Sequence, residues 1–381
     1  MIRSEEAKTR SELVRASGLA RATVAQRLTD LLEAGYIVYG AGGPGSASVG
    51  RPAEVFEFNR RSGIVLAADL DVSHCQVAAT DLAADVLAET SGPIDMADGP
   101  HPVLEWVHKG FSAVLEQSGH PLTDVCGIAL GLPGPVETTT GQFTSPTMMG
   151  EWHDFDIQEF FTDRFGDLPV FLEQDTNAMA LGEQRREWPD TANLIMVKAG
   201  VSLGCGLVLN GQTFRGSLGA AGDIGHLPRG GDKVCRCGNI GCLETAAAGW
   251  ALVQELQDRG REVHTTADVV ALTHAGDPHA VALVRQAGRA IGEVVADLIS
   301  VLNPSAVTVG GALADARETL LAGVREAVYS RSLPLATRDL QITYSRLGQR
   351  AGLIGAATQA SEYLFAPEAV DASLSSRETA R

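Results

Sequence analysis

Residues 219–244, GAAGDIGHLPRGGDKVCRCGNIGCLE, hold one histidine and three cysteines within a short stretch of chain. A structural zinc ion takes four soft or borderline donors in a tetrahedron, and one imidazole with three thiolates supplies that set. The alternative is a loop with three reduced thiols, but four such donors this close together are rare by chance, which favours zinc. Because no open coordination position is implied, the ion is expected to hold the loop rather than to catalyse. The predicted ligands are His226, Cys235, Cys237 and Cys242.

On both sides of this stretch, strand-like and helix-like segments alternate from Ile64 onward. IVLAADLDV and HCQVAATDL would pair as a hairpin with DVLAE as a third strand, and VCGIALG, PVFLE, LIMVKAG, GCGLVLN and AVTVGG are further strand candidates. One helix would begin with Asp277 as N-cap and Pro278 in its first turn. The mixture predicts an α/β domain of two lobes with a cleft between them. Helices are predicted near 103–117, 176–188, 279–302, 312–329 and 351–363.

The N-terminal segment has a different pattern of two helices and two short strands. TRSELVRAS is a short helix with Ser11 as its candidate cap, Gly18 supplies a turn, and RATVAQRLTDLLEAG is a longer helix. YIVYG and EVFEF flank the loop AGGPGSASVGRP and predict a two-stranded ribbon. This is the layout of a winged helix-turn-helix domain. Only MIRSEEAK precedes Thr9, which is too short for the usual first helix, so we expect a trimmed domain or a start further upstream.

Length and composition exclude several classes of protein. The chain has 381 residues, 45% hydrophobic and 20% charged, so it is neither mainly disordered nor a fibre. No apolar run approaches the roughly 20 residues that a membrane span needs, and MIRSEEAKTR lacks the apolar segment of a secretion signal. Six cysteines, three of them crowded together, do not resemble a disulfide framework. We therefore expect a cytoplasmic protein without a membrane partner.

Charge is distributed unevenly along the chain, whose net charge is −17. Residues 1–61 contain nine Lys and Arg against seven acids, so the negative charge lies in the remainder. DNA, a polyanion, would be repelled by the acidic remainder of the chain and could approach only residues 1–61. The alternative is that this segment is near neutral by chance. We predict a winged helix-turn-helix in 1–61, a two-lobed domain in 62–366 with its cleft near 175 and 223–244, and a disordered polar tail in 367–381.

Asp175, in VFLEQDTNAMALGE, lies where a predicted strand gives way to a helix. A carboxylate there can accept a proton from a substrate hydroxyl, as phosphoryl transfer to an alcohol requires, but an N-cap is the more frequent role of such a residue. The turns in ADLDVSH and KAGVSLGCG could present N–H groups to a phosphate. The first turn contains no glycine and has Asp71 at its tip, and the chain has no P-loop signature. From the residues alone, these turns argue against good nucleotide binding.

Taken together, these segments resemble the ROK family of sugar kinases and sugar-responsive repressors. The likeness is most specific in 219–244, and GLPGPV, EQDTNAMALGE and LNPSAVTVGG support it in matching order. The N-terminal segment together with GRP resembles the winged helix-turn-helix of the repressor branch, which the family's kinases lack. The resemblance runs from about Thr9 to Phe365 and implies an actin-like, two-lobed α/β domain behind the N-terminal domain.

The resemblance also implies roles for individual residues. The four candidate zinc ligands match the family's metal ligands. Members usually have Asn at the position of Gln174, Glu at the position of Asp223, and a sugar-contacting Asn where Thr147 stands, so the sugar preference is open. The implied sugar contacts are Gln174, Asp175, Asp223, His226 and Glu244.

This chain departs further from the family's kinases at the positions that bind ATP in those kinases. Those kinases have a Gly-Gly-Thr type turn where this chain has residues 71–73 (Asp-Val-Ser), and a Gly-Thr-Gly type turn where it has residues 200–202 (Gly-Val-Ser). Loss of a single preorganised donor can cost on the order of 10²–10³ in rate. The resemblance therefore implies that Asp175 contacts a ligand here and is not a working base.

The first functional hypothesis is a transcriptional repressor that binds operator DNA and a hexose-type sugar. Gln26 or an arginine would read base edges in the major groove, Thr23 would meet phosphate, and Arg51 would enter the minor groove beside the wing. A solvated helix face is the alternative for the arginines of this helix. Two-fold operators would imply a homo-oligomer, either a dimer or a tetramer. The predicted DNA contacts are Arg21, Thr23, Gln26, Arg27 and Arg51.

Two other hypotheses stay open. The chain could be an ATP-dependent sugar kinase of the glucokinase type, with Asp175 as base and ATP and Mg²⁺ as cofactors; the altered turns speak against it. It could also be a sugar-binding protein that has lost both activities, which an incomplete N-terminal domain would favour.

Overall fold

The N-terminal domain has the helix-turn-helix and ribbon that the sequence predicts. The computed structural model describes residues 1–40, 54–144, 150–153 and 155–379. The N-cap of the first helix is Thr9 and not Ser11, because the Thr9 hydroxyl accepts from the N–H of Glu12 while the Glu12 carboxylate accepts from the N–H of Thr9. The elements are α1 (Arg10–Ser17), α2 (Arg21–Glu33), β1 (Ile37–Tyr39) and its antiparallel partner β2 (Phe56–Phe58).

The residues before α1 form turns and contain no helix. Ala7 is buried in the small core of the domain together with Leu13, Leu28 and Phe56. The N–H of Phe56 donates to the carbonyl of Lys8 at 2.7 Å, so the first residues close against the ribbon. This segment completes the core of the domain without a helix of its own.

The first lobe of the large domain is a five-stranded sheet with helices packed on it. The predicted hairpin forms its antiparallel part, and the strand order is β5–β4–β3–β6–β7 with β3, β6 and β7 parallel. The strands are β3 (Ile64–Leu70), β4 (His74–Asp81), β5 (Val86–Pro93), β6 (Val125–Leu132) and β7 (Val170–Gln174). The helices are α3 (Pro100–Ser118), α4 (Ile157–Phe165) and α5 (Asp175–Glu187).

The second lobe repeats this plan with a second five-stranded sheet in the order β10–β9–β8–β11–β12. Its longest helix begins as predicted, since Oδ1 of Asp277 accepts from the N–H groups of His279 and Ala280 at 3.0 and 3.1 Å. The strands are β8 (Leu194–Ala199), β9 (Leu203–Leu209), β10 (Gln212–Thr213), β11 (Ala306–Gly310) and β12 (Gln341–Tyr344). The helices are α6 (Glu244–Ala247), α7 (Gly249–Asp258), α8 (Thr266–His274), α9 (Pro278–Leu302), α10 (Glu318–Arg331) and α11 (Pro334–Thr337).

Two helices, α5 and α12 (Ala351–Leu364), pack together where the lobes meet. Their backbones touch through glycine: a Cβ on Gly355 would lie 1.7 Å from the carbonyl oxygen of Ala178. Helix α12 packs on β3 and β6 of the first lobe, and α5 packs on β8 and β9 of the second. The start of α5, which carries Asp175, is therefore held by both lobes.

The C-terminal segment is helical and lies against the N-terminal domain, so the predicted disorder is wrong for the residues described. Helix α13 spans Pro367–Thr379, with proline where a first helical turn tolerates it. The hydroxyls of Tyr36 and Ser373 are 2.6 Å apart, and Arg27 pairs with Asp371 at 3.1 Å. Contacts between distant residues stabilise a helix that polar composition alone does not favour.

The ring of Phe365, at the end of α12, forms an aromatic contact with the N-terminal domain. It meets the rings of Tyr36 and Phe58 edge-on, with centroids 5.6 and 4.9 Å apart. Helix α12 thus reaches from the interlobe region to the winged domain. Within the described ranges, every helix is too short or too polar to cross a bilayer.

Candidate functional site

The four predicted metal ligands come together in the loop after β10. Their donor atoms all lie within 4.8 Å of one another. Sγ of Cys235 is 3.6 Å from Nδ1 of His226, and Sγ of Cys237 is 3.7 Å from Sγ of Cys242. One imidazole and three thiols at this spacing could hold one metal ion, and the donor set suits tetrahedral zinc.

The backbone of this metal loop is held by its own hydrogen bonds. The N–H of Cys235 donates to the carbonyl of Asn239 at 2.7 Å, and the N–H of Gly238 donates to the carbonyl of Cys235 at 2.9 Å. Gly238 has a φ of 90°, a conformation that favours glycine. The tight turn that runs from Cys235 to Gly238 therefore favours this residue type at its end.

Asp175 is the first residue of α5, and Gln174 takes the N-cap position without a side-chain capping bond. The reading of Asp175 as the cap is therefore wrong. Oδ1 of Asp175 accepts from the N–H of Thr176 at 2.6 Å, and Oδ2 accepts from Nζ of Lys198. Oε1 of Gln174 is buried without a hydrogen-bond partner, which leaves an acceptor that a ligand could satisfy.

The other predicted sugar contacts surround the start of β9. The N–H of Cys205 donates at 2.8 Å to the carbonyl of the residue before Asp223, which places Asp223 beside β9. The buried Glu244 accepts from the N–H of Leu203 at 2.9 Å. A Cβ on Gly225 would lie 3.0 Å from Cγ of Glu244, so the segment that carries His226 passes against it. Because β9 also packs on α5, this strand joins these residues to the helix of Asp175.

A buried lysine, Lys198 at the end of β8, lies between two carboxylates and is 5% exposed. Its Nζ donates to Oδ1 of Asp71 at 3.0 Å and to Oδ2 of Asp175. Burial alone would lower the pKa of Lys198, but the charges of Asp175 and Asp71 raise it above its ordinary value. Burial raises the pKa of Asp175 against the opposing effect of the Lys198 charge, whereas Lys198 holds the pKa of Asp71 below its usual range despite burial.

A third carboxyl group, that of Asp69 on β3, lies near this cluster. Its Oδ1 is enclosed and has no hydrogen-bond partner. Burial, followed by the charge of Asp175, raises the pKa of Asp69 to about 8. Helix α12 begins against it, since a Cβ on Gly352 would lie 2.2 Å from Oδ2 of Asp69.

The two turns at residues 71–73 and 200–202 use three of their N–H groups internally. The N–H of Asp71 donates to the carbonyl of His74 at 2.8 Å, and the N–H of Val72 donates to Oδ1 of Asp71 at 2.7 Å. In the second turn, the N–H of Gly200 donates to the carbonyl of Ser202 at 3.1 Å. These donors already have acceptors within the protein.

A cavity of about 600 Å³ lies between the lobes next to these turns. Asp71 and His74 line it from the first lobe, and Lys198 and Trp250 line it from the second. Arg236, which stands between two of the cluster cysteines, also lines it, with its guanidinium 4.6 Å from the ring centre of Trp250. The interlobe cleft therefore remains open beside the altered turns.

Four of the five predicted DNA contacts lie on the surface of α2, and two of these four have a partner within the protein. Arg21, Thr23, Gln26 and Arg27 are exposed on α2. The Gln26 amide donates to Asp30 at 2.8 Å, and Arg27 is the residue that pairs with Asp371 of α13. Arg51 lies outside the described residues, as does Thr147.

Comparison with known proteins identifies the family. The sequence profile of the ROK family matches residues 65–362. The chain belongs to the ROK family. The xylose repressor of Caldicellulosiruptor bescii is 27% identical over 377 residues, which cover 94% of this chain and 93% of that protein.

Two solved ROK structures share the fold. A ROK family transcriptional regulator described as a homolog of the E. coli MLC protein has a TM-score of 0.77 and 28% identity, and the match covers 94% of this chain and 93% of that chain. A ROK family glucokinase from Streptomyces griseus, in complex with glucose and AMPPNP, has a TM-score of 0.70 and 26% identity, covering 79% of this chain and 100% of that chain. The two-lobed, actin-like domain behind a winged helix-turn-helix is thus the fold of this protein.

Sequence reasoning missed Lys198 as a member of the site. The signal was present, since Lys198 is the one charged residue in the strand segment LIMVKA, all six residues of which are buried. A lysine in such a strand requires a partner, because an unpaired ammonium is costly to bury. The sequence does not identify that partner, because Asp71 is 127 positions from Lys198 along the chain.

Proposed function

We propose that this chain is a sugar-responsive transcriptional repressor of the ROK family. In this proposal the winged domain, residues 1–61, binds operator DNA, and residues 62–366 bind a hexose-type sugar. The observation that carries the proposal is the nearly full-length likeness to a xylose repressor and to a ROK transcriptional regulator, compared with a glucokinase match that leaves about a fifth of this chain uncovered.

The proposed sugar site lies where α5, β9 and the metal loop approach one another. Its polar groups are the carboxylates of Asp175, Asp223 and Glu244 with the Gln174 amide and His226. Carboxylates and amides accept hydrogen bonds from sugar hydroxyls, and a buried acceptor without a partner, such as Oε1 of Gln174, favours a ligand that can supply one. The proposed structural zinc, on His226 and the three cysteines, would fix the loop that carries His226.

The proposed readout depends on the contacts between the large domain and the winged domain. Sugar binding can alter DNA binding only if the sugar prefers one arrangement of the protein over another. Helices α5 and α12 connect the predicted sugar site to Phe365, whose ring touches Tyr36 and Phe58. We infer a dimer or a tetramer, since a two-fold operator requires two winged domains.

The test selects a binding sequence from a pool of random DNA duplexes and then measures affinity by fluorescence anisotropy at fixed salt, with and without sugars. The panel contains three hexoses, glucose, mannose and galactose, and also xylose, because one relative is named a xylose repressor. We expect sequence-specific binding that one sugar shifts by about tenfold or more. Binding that no sugar changes, or no sequence preference at all, would remove the proposal.

The second candidate function is an ATP-dependent sugar kinase, favoured by the retained Asp175 and by the likeness to a glucokinase. The internal use of the turn N–H groups and the Lys198 ammonium beside Asp175 weigh against it. A coupled ADP-release assay with Mg²⁺ and the same sugars decides between them, since robust turnover would favour the kinase.

A further inference from the structure

Lys198 links the two lobes inside the cleft. It comes from β8 of the second lobe, while Asp71 follows β3 of the first lobe and Asp175 begins the helix between them. Its side chain is 6% exposed, and the Asp175 side chain is 7% exposed, so both charges are removed from water. Buried charges are tolerated only when they are paired, and here the pairing requires both lobes to be in place.

The groups around Asp175 are already paired with one another, whereas a phosphoryl transfer centre needs them for a divalent cation and a phosphate. The single ammonium already pairs with both carboxylates, those of Asp71 and Asp175, and so occupies oxygens that a divalent cation could use as ligands. Three N–H groups of the adjacent turns, those of Asp71, Val72 and Gly200, donate to protein acceptors. Each oxygen of the Asp175 carboxylate accepts one hydrogen bond, Oδ1 from the N–H of Thr176 and Oδ2 from Lys198, and a carboxylate oxygen can accept a second one.

We propose that Lys198 is a positioning residue for sugar recognition: it holds Asp175 charged and oriented as a hydrogen-bond acceptor for a sugar hydroxyl, in the place of a bound cation and phosphate. This inference rests on the proposed sugar-binding function. It assigns Lys198 a role in affinity for a neutral sugar and not in phosphoryl transfer.

The experiment is calorimetric titration of the full chain with glucose, mannose, galactose and xylose in turn, and the variants are titrated with the one that binds the wild type most tightly. Absence of binding to the wild type would count against the proposed function itself, separately from the role of Lys198. Given wild-type binding, Lys198→Met should weaken it about 10- to 100-fold, the scale expected when a charged acceptor loses its orientation. The matched control is Lys109→Met, at an exposed position on α3, which should bind as the wild type does.

A double-mutant cycle separates positioning from a merely structural role. If Lys198 acts through Asp175, Lys198→Met combined with Asp175→Asn should lose no more affinity than Asp175→Asn alone. Additive losses, or binding by Lys198→Met within twofold of the wild type, would overturn the inference. Lys198→Met leaves the carboxylate of Asp71 without its partner and could fail to fold. In that case the same titration is made with the double variant Lys198→Met/Asp71→Asn, which removes this charge as well.

Discussion

The cleft has two ends that flank the same helix, α5. The metal-loop end contains Gln174 and Asp223, and the end with the turns at residues 71–73 and 200–202 is called the phosphate end after the corresponding turns of the family's kinases. The polar groups of the two ends are used differently. At the metal-loop end, the Gln174 amide has a buried acceptor without a partner and Asp223 is exposed. At the phosphate end, the N–H groups of Asp71, Val72 and Gly200 bind protein acceptors, and Lys198 fills the space between two carboxylates. The cavity of about 600 Å³ persists there, so this end keeps its space although these N–H groups already have acceptors.

The largest expected effect tests the metal-loop end. Cys242→Ala removes one of four donors, so bound zinc should be lost and the thermal midpoint should fall by about 10 °C or more, because metal binding contributes directly to folding. Metal content by mass spectrometry and thermal unfolding are the measurements. Cys126→Ala, at a cysteine outside the cluster, is the control and should keep the metal. Full zinc content in Cys242→Ala would exclude this ligand set.

The next effect tests whether Asp175, the first residue of α5, contacts the sugar that we propose binds at the metal-loop end. Asp175→Asn should weaken sugar binding by about 10- to 100-fold, since an amide replaces a charged acceptor. DNA affinity in the absence of sugar should stay unchanged. Asp190→Asn, at an exposed position after α5, is the control. Unaltered sugar affinity in Asp175→Asn would move the sugar site away from α5 and end the comparison between the two ends.

The sequence predicted the elements better than it predicted how the phosphate end is built. Apolar runs identified the β3–β4 hairpin and the helical spacing of apolar residues identified most helices, because these patterns depend on neighbours along the chain. Lys198 and Asp71 are distant in sequence, so their pairing depends on the packing of two lobes. Helix α13 was missed for the same reason, since its partners Arg27 and Tyr36 lie in another domain.

The pH dependence of stability tests whether Asp69 is protonated in the folded protein. Burial, then the Asp175 charge, raises the pKa of Asp69 to about 8 in the folded protein. Between about pH 4 and pH 8 the unfolded chain releases this proton while the folded protein keeps it, so Asp69 lowers stability as pH rises through this window. Above the folded pKa the cost is constant.

Asp69→Asn removes this titration, so the free energy of unfolding of the variant should increase relative to that of the wild type from pH 4 to pH 8. The advantage should reach about 1–2 kcal/mol, since partial exposure of the residue reduces the cost. Urea unfolding at several pH values measures it, with Asp167→Asn at an exposed position as the control. A difference independent of pH would mean that Asp69 is ionised in the folded protein and that the phosphate end carries one more negative charge.

The smallest effect concerns the link from the phosphate end to the winged domain. Helix α12 begins against Asp69 and ends at Phe365, and α13 then places Asp371 beside Arg27 of the helix predicted to enter DNA. Because this ion pair is exposed, Asp371→Asn should change stability by less than about 1 kcal/mol. It should raise DNA affinity about two- to threefold, since Arg27 no longer has to exchange a carboxylate for a phosphate.

Glu368→Gln, on the same helix and exposed, removes the same charge at a different position and is the matched control. Equal gains in the two variants at low salt would assign the effect to net charge near the DNA and not to the pairing of Arg27. A loss of affinity confined to Asp371→Asn would have the opposite meaning: the ion pair would then orient α2 for binding, and α13 would support DNA recognition instead of competing with it. Either way, the direction of the change decides whether the contact between α13 and the winged domain belongs to the DNA-free or the DNA-bound arrangement.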